Sequence, residues 1–415
     1  MRAGRAARSS CAAVEASTAP TLAGQDEVAR IAALAREGGR LGIDTEFMSE
    51  GRYRALLCLV QVVADDPDAP DGIRIALFDT LEPLDAAPLA EVLADPRIEI
   101  VLHAARQDVA LLRRVWRTEV TNVFDTQVAA GFAGQGAQTG YGNLIGGVLR
   151  LHVAKSASYT RWDARPLTAE QLSYAREDVL HLLELSDALH TRLAAKGRLE
   201  WAREECRRLE GASDERDPET AFERLPRAAS LDPRSRAVAR ELAAWRERTA
   251  SLEDKPVGTI LPDPALVEIA KRKPSQPSDL EQIRGLHGGH LKRRGAELIA
   301  AVERGRDAEP IAREARGPGS EPGDAPLVAL VESVIRARAI EAGLAYELIA
   351  SRAELERIVI AARRSEPEPD VRALSGWRRE LVGAELEDLL AGRRAVTIEG
   401  GRLAVRDADD AVAPT

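Results

Sequence analysis

Cysteine is scarce. Cys11, Cys58 and Cys206 are the only three in 415 residues, an odd number without the regular spacing of a disulfide framework, so a reducing compartment, the cytoplasm, is expected. Long apolar runs are missing as well. No stretch approaches the ~20 residues of a membrane span, and no membrane partner is expected. Positive charge is in deficit, with 58 Lys and Arg against 67 Asp and Glu and a formal net charge of -9. That balance argues against broad electrostatic capture of nucleic acid and confines any such binding to local patches. Residues 1–20, rich in Ala, Arg and Ser and without an acid before Glu15, read as a disordered tail. The length suggests two or three domains.

What the chain does contain is a set of acidic motifs. Gly42-Ile43-Asp44-Thr45-Glu46-Phe47 puts two carboxylates on alternate residues of a strand, hence on one face. Charged residues also blunt exposed strand edges, but Leu41 and Ile43 before the pair and the apolar run of residues 55–63 after it imply a buried sheet. A buried acidic pair calls for a cation. Residues 167–195 read as one long helix capped by Thr168 with Gln171 three residues on, and Tyr174 and Asp178 share a side of it. Asp108 falls in the first turn of a helix that follows the strand of residues 99–103, at the strand end where open α/β sheets bind ligands. Asp125 precedes Thr126-Gln127-Val128 and reads as an N-cap, not a ligand. His103 reads as a buried, hydrogen-bonded histidine more than as a base.

Asp44 with Glu46, Asp108, and Tyr174 with Asp178 resemble, in order and spacing, the three motifs of the DEDD exonuclease superfamily in its tyrosine-bearing branch, which includes ribonuclease D and the proofreading domain of DNA polymerase I. Lys155-Ser156, Trp162, Arg165-Pro166-Leu167-Thr168 and Gln171-Leu172 look specifically like ribonuclease D. Arg176-Glu177 replaces small residues of the third motif, and Tyr159 stands where an aromatic is expected. The resemblance implies an RNase H-like α/β core and 3'-5' hydrolysis of RNA that has a free 3' end, tRNA precursors among them, with release of nucleoside 5'-monophosphates. Two Mg²⁺ or Mn²⁺ ions would serve, since hard carboxylate oxygens suit them better than Zn²⁺. By the same analogy Asp44 bridges both ions, Glu46 and Asp178 complete one site, Asp108 holds the other mainly through water, and neutral Tyr174 orients the attacking water. Phe47 and Gln107, beside these residues, are expected to touch nucleic acid. A DNA exonuclease of the proofreading type and a non-catalytic RNA-binding scaffold are the alternatives.

Strands are expected near residues 40–47, 55–63, 73–78, 99–103 and 121–124, the first three antiparallel and the later ones parallel, so the fold class is a mixed α/β core followed by two all-α modules. The expected division is an exonuclease domain over 21–215, a helical domain over 216–308, a linker over 309–325, a second helical domain over 326–400 and a tail over 401–415. The first helical module resembles the HRDC domain. Its basic residues Lys271, Arg272, Lys273, Arg284, His287, His290, Lys292, Arg293 and Arg294 gather around two turns, where they are expected to hold phosphates. The second resembles a diverged HRDC repeat, expected to brace the fold. The tail is expected to be mostly disordered unless residues 396–398 pair with 403–405. The exonuclease part is expected to work as a fragment ending near Leu209, and the whole protein as a monomer.

Overall fold

The computed structural model describes residues 20–152, 161–286, 288–312 and 321–411. Helix α1 (Gln25–Gly38) leads into strands β1 (Arg40–Met48), β2 (Leu56–Asp65) and β3 (Ile73–Asp79), followed by α2 (Ala87–Ala94), β4 (Glu99–Leu102), α3 (Arg106–Trp116), β5 (Val123–Asp125), α4 (Thr126–Ala133) and α5 (Tyr141–Val148). The sheet order is β3-β2-β1-β4-β5. β1, β2 and β3 pair antiparallel, and β4 and β5 join parallel, giving the expected mixed sheet.

Alternation along β1 divides its side chains. Leu41 and Ile43 are fully buried with Val28 and Ile31 of α1 and Val109 and Leu112 of α3, while Gly42, Asp44 and Glu46 take the opposite face. Gly42 is needed for close approach, since a Cβ there would meet Val63 Cγ1 at 2.5 Å and Leu182 at 3.3 Å. The expected single helix of residues 167–195 is two helices, α6 (Ala169–Leu180) and α7 (Leu182–Ala195), broken at His181. The apolar stripe runs on through Val179, Leu182 and Leu183, so periodicity does not reveal the break. The bend lets α6 lie over β1 to β3 while α7 packs on β4 and α4. The expected cap is present as a reciprocal capping box of Thr168 and Gln171.

After α8 (Leu199–Glu210) the first helical module is built from α9 (Pro233–Glu253), α10 (Val257–Ile260), α11 (Asp263–Arg272), a 3₁₀ turn at Pro277–Gln282 and α12 (Gly288–Asp307). Its core holds Leu242, Trp245, Leu266 and Leu298, and also Tyr53 from the loop between β1 and β2. The second module comprises α13 (Asp324–Ala342), α14 (Tyr346–Ile349), α15 (Arg352–Arg364) and a helix running from α16 (Gly376–Arg378) through a π-turn at Arg379–Gly383 into α17 (Ala384–Leu390). It shares one apolar core with the exonuclease part. Ile335, Leu355 and Trp377 pack in the same cluster as Phe132, Leu185 and Leu189. Trp201 and Trp377 stack at 5.3 Å. Trp377 and Arg378 both bond Glu205, with Arg378 only 1% exposed.

The expected linker falls partly on residues 313–320, outside the described residues, and α13 already begins at Asp324. The expected tail is instead largely a hairpin of β6 (Arg394–Glu399) and β7 (Arg402–Asp407). Gly400 and Gly401, at φ 55° and 77°, supply the two left-handed residues of a tight turn. Val396 faces Val405, and both pack against the shared core.

Candidate active site

The strand face and α6 converge as their spacing implies. Asp44, Glu46 and Asp178 are half-buried and offer carboxylate oxygens that lie within 4.8 Å of one another. Asp108, only 8% exposed, stays outside that group and accepts a short hydrogen bond from Thr45 Oγ1. Burial raises all four above the ordinary carboxylate range. Glu46 rises to about 8, with the charges of Asp178 and Asp108 adding to desolvation. Asp178 rises to about 7 despite a hydrogen bond from Tyr174. Asp108 rises to about 6 against the Thr45 bond. Asp44 is held well above its usual value by burial and by its three acidic neighbours. Among the described residues no Lys or Arg pairs with these carboxylates, so a divalent cation is the charge that fits them.

Tyr174 is pushed far up by burial and by Asp178 and Glu46, so its hydroxyl keeps its proton at neutral pH. It rides on α6 beside Trp162, with ring centroids 6.0 Å apart. The Trp162-x-x-Arg165 segment earns its place structurally. Arg165 forks onto Asp79 at 2.5 and 2.6 Å and donates to the carbonyls of Cys58 at 2.9 Å and Trp162 at 2.7 Å. Lys155, Ser156 and Tyr159 lie outside the described residues. Phe47 is half-buried against the core below β1, and Gln107 is exposed in the first turn of α3.

Several supporting residues escape sequence reading. Gln61, the fully buried polar residue in the apolar run of β2, stands opposite Asp44 in the ladder and donates to its Oδ2. Its lone polarity is the signal that could have marked it. Thr45 has no such signal, because its bond to Asp108 crosses between elements. His103 meets Thr126 Oγ1 through Nδ1 at 2.9 Å, and burial lowers its pKa. Its ring lies 5.4 Å from that of Tyr141. Asp125 does cap α4, accepting from Gln127 and Val128.

The basic residues of the first helical module separate on inspection. Lys271, Arg284, Lys292 and Arg293 are exposed. Lys273, expected to hold phosphate, is instead spent internally: it closes α11 in a left-handed conformation, and its Nζ donates to Ser235 Oγ at 2.7 Å. The short side chain of Ser235 at the start of α9 leaves an acceptor within its reach. Arg294, expected in the same cluster, is buried and pairs with Glu253 at 2.7 Å, and His287 lies outside the described residues.

Residues 21–194 match the family model for a 3'-5' exonuclease and residues 235–302 that for the HRDC domain. The chain is 36% identical over 392 residues to the ribonuclease D of Granulibacter bethesdensis, covering 92% of this chain and 96% of that protein. It is 37% identical over 369 residues to the ribonuclease D of Gluconacetobacter diazotrophicus, covering 88% and 90%. Among solved structures, Escherichia coli RNase D, described as an exoribonuclease involved in structured RNA processing, superposes with a TM-score of 0.75 at 28% identity over 89% of this chain and 98% of that one. The catalytic core of RRP6 from Trypanosoma brucei shares the fold, with a TM-score of 0.53 at 22% identity over 68% of this chain and 78% of that one. No helix among the described residues is long and apolar enough to cross a membrane.

Proposed function

The chain belongs to the ribonuclease D family and is a 3'-5' exoribonuclease, and on that premise we propose that Asp44, Glu46, Asp108 and Asp178 hold two Mg²⁺ or Mn²⁺ ions where the last phosphodiester of an RNA is cut. The observation that carries this reading is the grouping of three carboxylates within 4.8 Å, with Tyr174 bonded to one of them. Asp44, Glu46 and Asp178 would hold one ion, and Asp44 with Asp108, the latter mainly through water, would hold the other. Ions bound there would supply an acidic water near neutral pH and positive charge for the departing oxygen.

The chain's own groups orient and protect. Tyr174 Oη keeps its proton, which it gives to Asp178 in a hydrogen bond, and its oxygen accepts from the attacking water, so it orients that water without taking its hydrogen. Gln61 Nε2 holds Asp44 in one rotamer. Thr45 Oγ1 holds Asp108. Gln107, exposed beside Asp108, and the exposed edge of Phe47 contact the terminal nucleotides, while Lys271, Arg284, Lys292 and Arg293 contact phosphates farther along the RNA. The substrate is an RNA with a free 3' end, a tRNA precursor in particular. The structured-RNA role of the E. coli relative supports that choice. The products are nucleoside 5'-monophosphates, and the chain acts as a monomer.

The test incubates the purified protein with a 5'-labelled tRNA precursor, its circularised counterpart and Mg²⁺. Shortening from the 3' end, 5'-monophosphate products and survival of the circle are expected. Asp44→Asn should abolish hydrolysis with the fold intact. Substantial Mg²⁺-dependent hydrolysis by that variant would overturn the assignment.

A further inference from the structure

Asp125 does more than cap a helix. The residue is 2% exposed, and its carboxylate accepts from four backbone N–H groups. Two belong to α4, Gln127 at 2.7 Å and Val128 at 3.3 Å, both on Oδ1. Those two suffice for an N-cap. The other two come from a different segment: Ala104 donates to Oδ1 at 3.1 Å and Ala105 to Oδ2 at 2.8 Å. Ala104 has φ 57°, a left-handed conformation that costs a non-glycine residue about 1 kcal/mol or more and persists only where the surroundings impose it. The same turn is tied again by the next residue. Thr126 Oγ1 donates to the Leu102 carbonyl at 3.0 Å, so its single proton is committed and His103 Nδ1, at 2.9 Å, is the donor to it.

This turn delivers α3, and Asp108 is the third residue of that helix. The position of the Ala105 N–H therefore sets the direction from which Asp108 enters the site. We propose that Asp125 is a positioning residue of the metal site: it clamps the Ala104-Ala105 turn and thereby fixes the Asp108 carboxylate relative to Asp44 and Glu46. The inference rests on the assignment of Asp108 to the metal site made above.

Asp125→Ser separates the clamp from the cap. Serine at an N-cap still accepts from the first amides of α4, but its single, shorter-reaching oxygen cannot also serve Ala104 and Ala105. Asp125→Asn keeps the shape and turns one acceptor oxygen into a donor facing a donor. In both variants the Mg²⁺ concentration for half-maximal hydrolysis should rise by about 10-fold to 100-fold, the size seen when groups that orient metal ligands are removed, with the KM for RNA unchanged. An unaltered Mg²⁺ requirement in a folded Asp125→Ser variant overturns the clamp. Should neither variant fold, hydrogen exchange of the native protein decides: the amides of residues 104 and 105 should gain protection when Mg²⁺ is added, and equal exchange with and without Mg²⁺ overturns it. Asp108→Asn is the reference. Unchanged Mg²⁺ dependence there would mean that the metal-site assignment has failed; a large change there, beside a normal Asp125→Ser, would mean that only the clamp has failed.

Discussion

Three carboxylates within reach of one cation repel one another when no cation lies between them, and burial adds to the cost of ionising them. Glu46 and Asp178 stand at about 8 and about 7, against about 4 in an unfolded chain. Between those values the metal-free folded protein binds more protons than the unfolded one, so this site's contribution to stability is fully present below pH ~4 and is lost as pH rises toward 8. Metal binding displaces the protons and reverses the trend. Mg²⁺ should therefore raise the melting temperature more at pH 8 than at pH 6, measured against the same protein in chelator. An equal gain at both pH values would mean that the carboxylates do not share the ion. The acidic residues themselves were legible, because alternate strand positions and four-residue helix spacing dictate their faces. Thr45 was not, and Gln61 stood out only as one polar residue in an apolar run, without its partner. Gln61 meets Asp44 only because the antiparallel register sets them opposite, and register depends on the whole sheet.

At the scale of elements, α6 is the part of the site that lies outside the sheet, for it brings Tyr174 and Asp178 to strands that already hold Asp44 and Glu46. What anchors its start is Arg165. The guanidinium spans Asp79 at the end of β3, the Cys58 carbonyl on β2 and the Trp162 carbonyl, a planar fork that lysine cannot reproduce. Arg165→Lys should lower unfolding stability by about 1–3 kcal/mol, the size expected when charged hydrogen bonds are lost in a largely shielded place. It should also lower kcat more than it weakens RNA binding. A urea titration and a saturation curve check the two halves. A variant with normal kcat would show that α6 finds its place without the fork. The helix boundary at Thr168 could be read from its capping box, whereas the break at His181 could not, because the apolar stripe passes through it unbroken. The hairpin of β6 and β7 shows the converse: two glycines between short alternating segments carried the information, and the short exposed strands understated it.

Across the whole molecule the two helical modules are attached by different physics, and this is where sequence reading fell shortest. The first meets the exonuclease part through the loop after Glu46: Tyr53 Oη donates to Glu247 at 2.8 Å and Arg52 pairs with Asp254 at 2.7 Å. The second is fused to it. Phe132, Leu185, Leu189 and Leu193 are fully buried in one cluster with Ile335, Leu355 and Trp377, so a fragment ending near Leu209 would expose apolar faces of α4, α7 and α8 and leave Glu205 without Arg378. In the sequence those faces look like any amphipathic helix, since nothing local says which module covers them. Two sets of substitutions should then part cleanly. Trp377→Ala should cost about 3–5 kcal/mol of unfolding stability, as large core truncations do, and leave the salt dependence of RNA binding unchanged. Charge reversal at Lys271, Lys292 and Arg293, all exposed, should leave stability nearly unchanged and make the slope of log affinity against log salt shallower by about 2, or about 0.7 for each lost contact with single-stranded phosphate. An unchanged slope in the charge-reversed protein would assign those three side chains to ordinary solvated surface. A lowered slope in Trp377→Ala would mean that the fused module also grips the RNA, so that bracing and binding are not divided between the two.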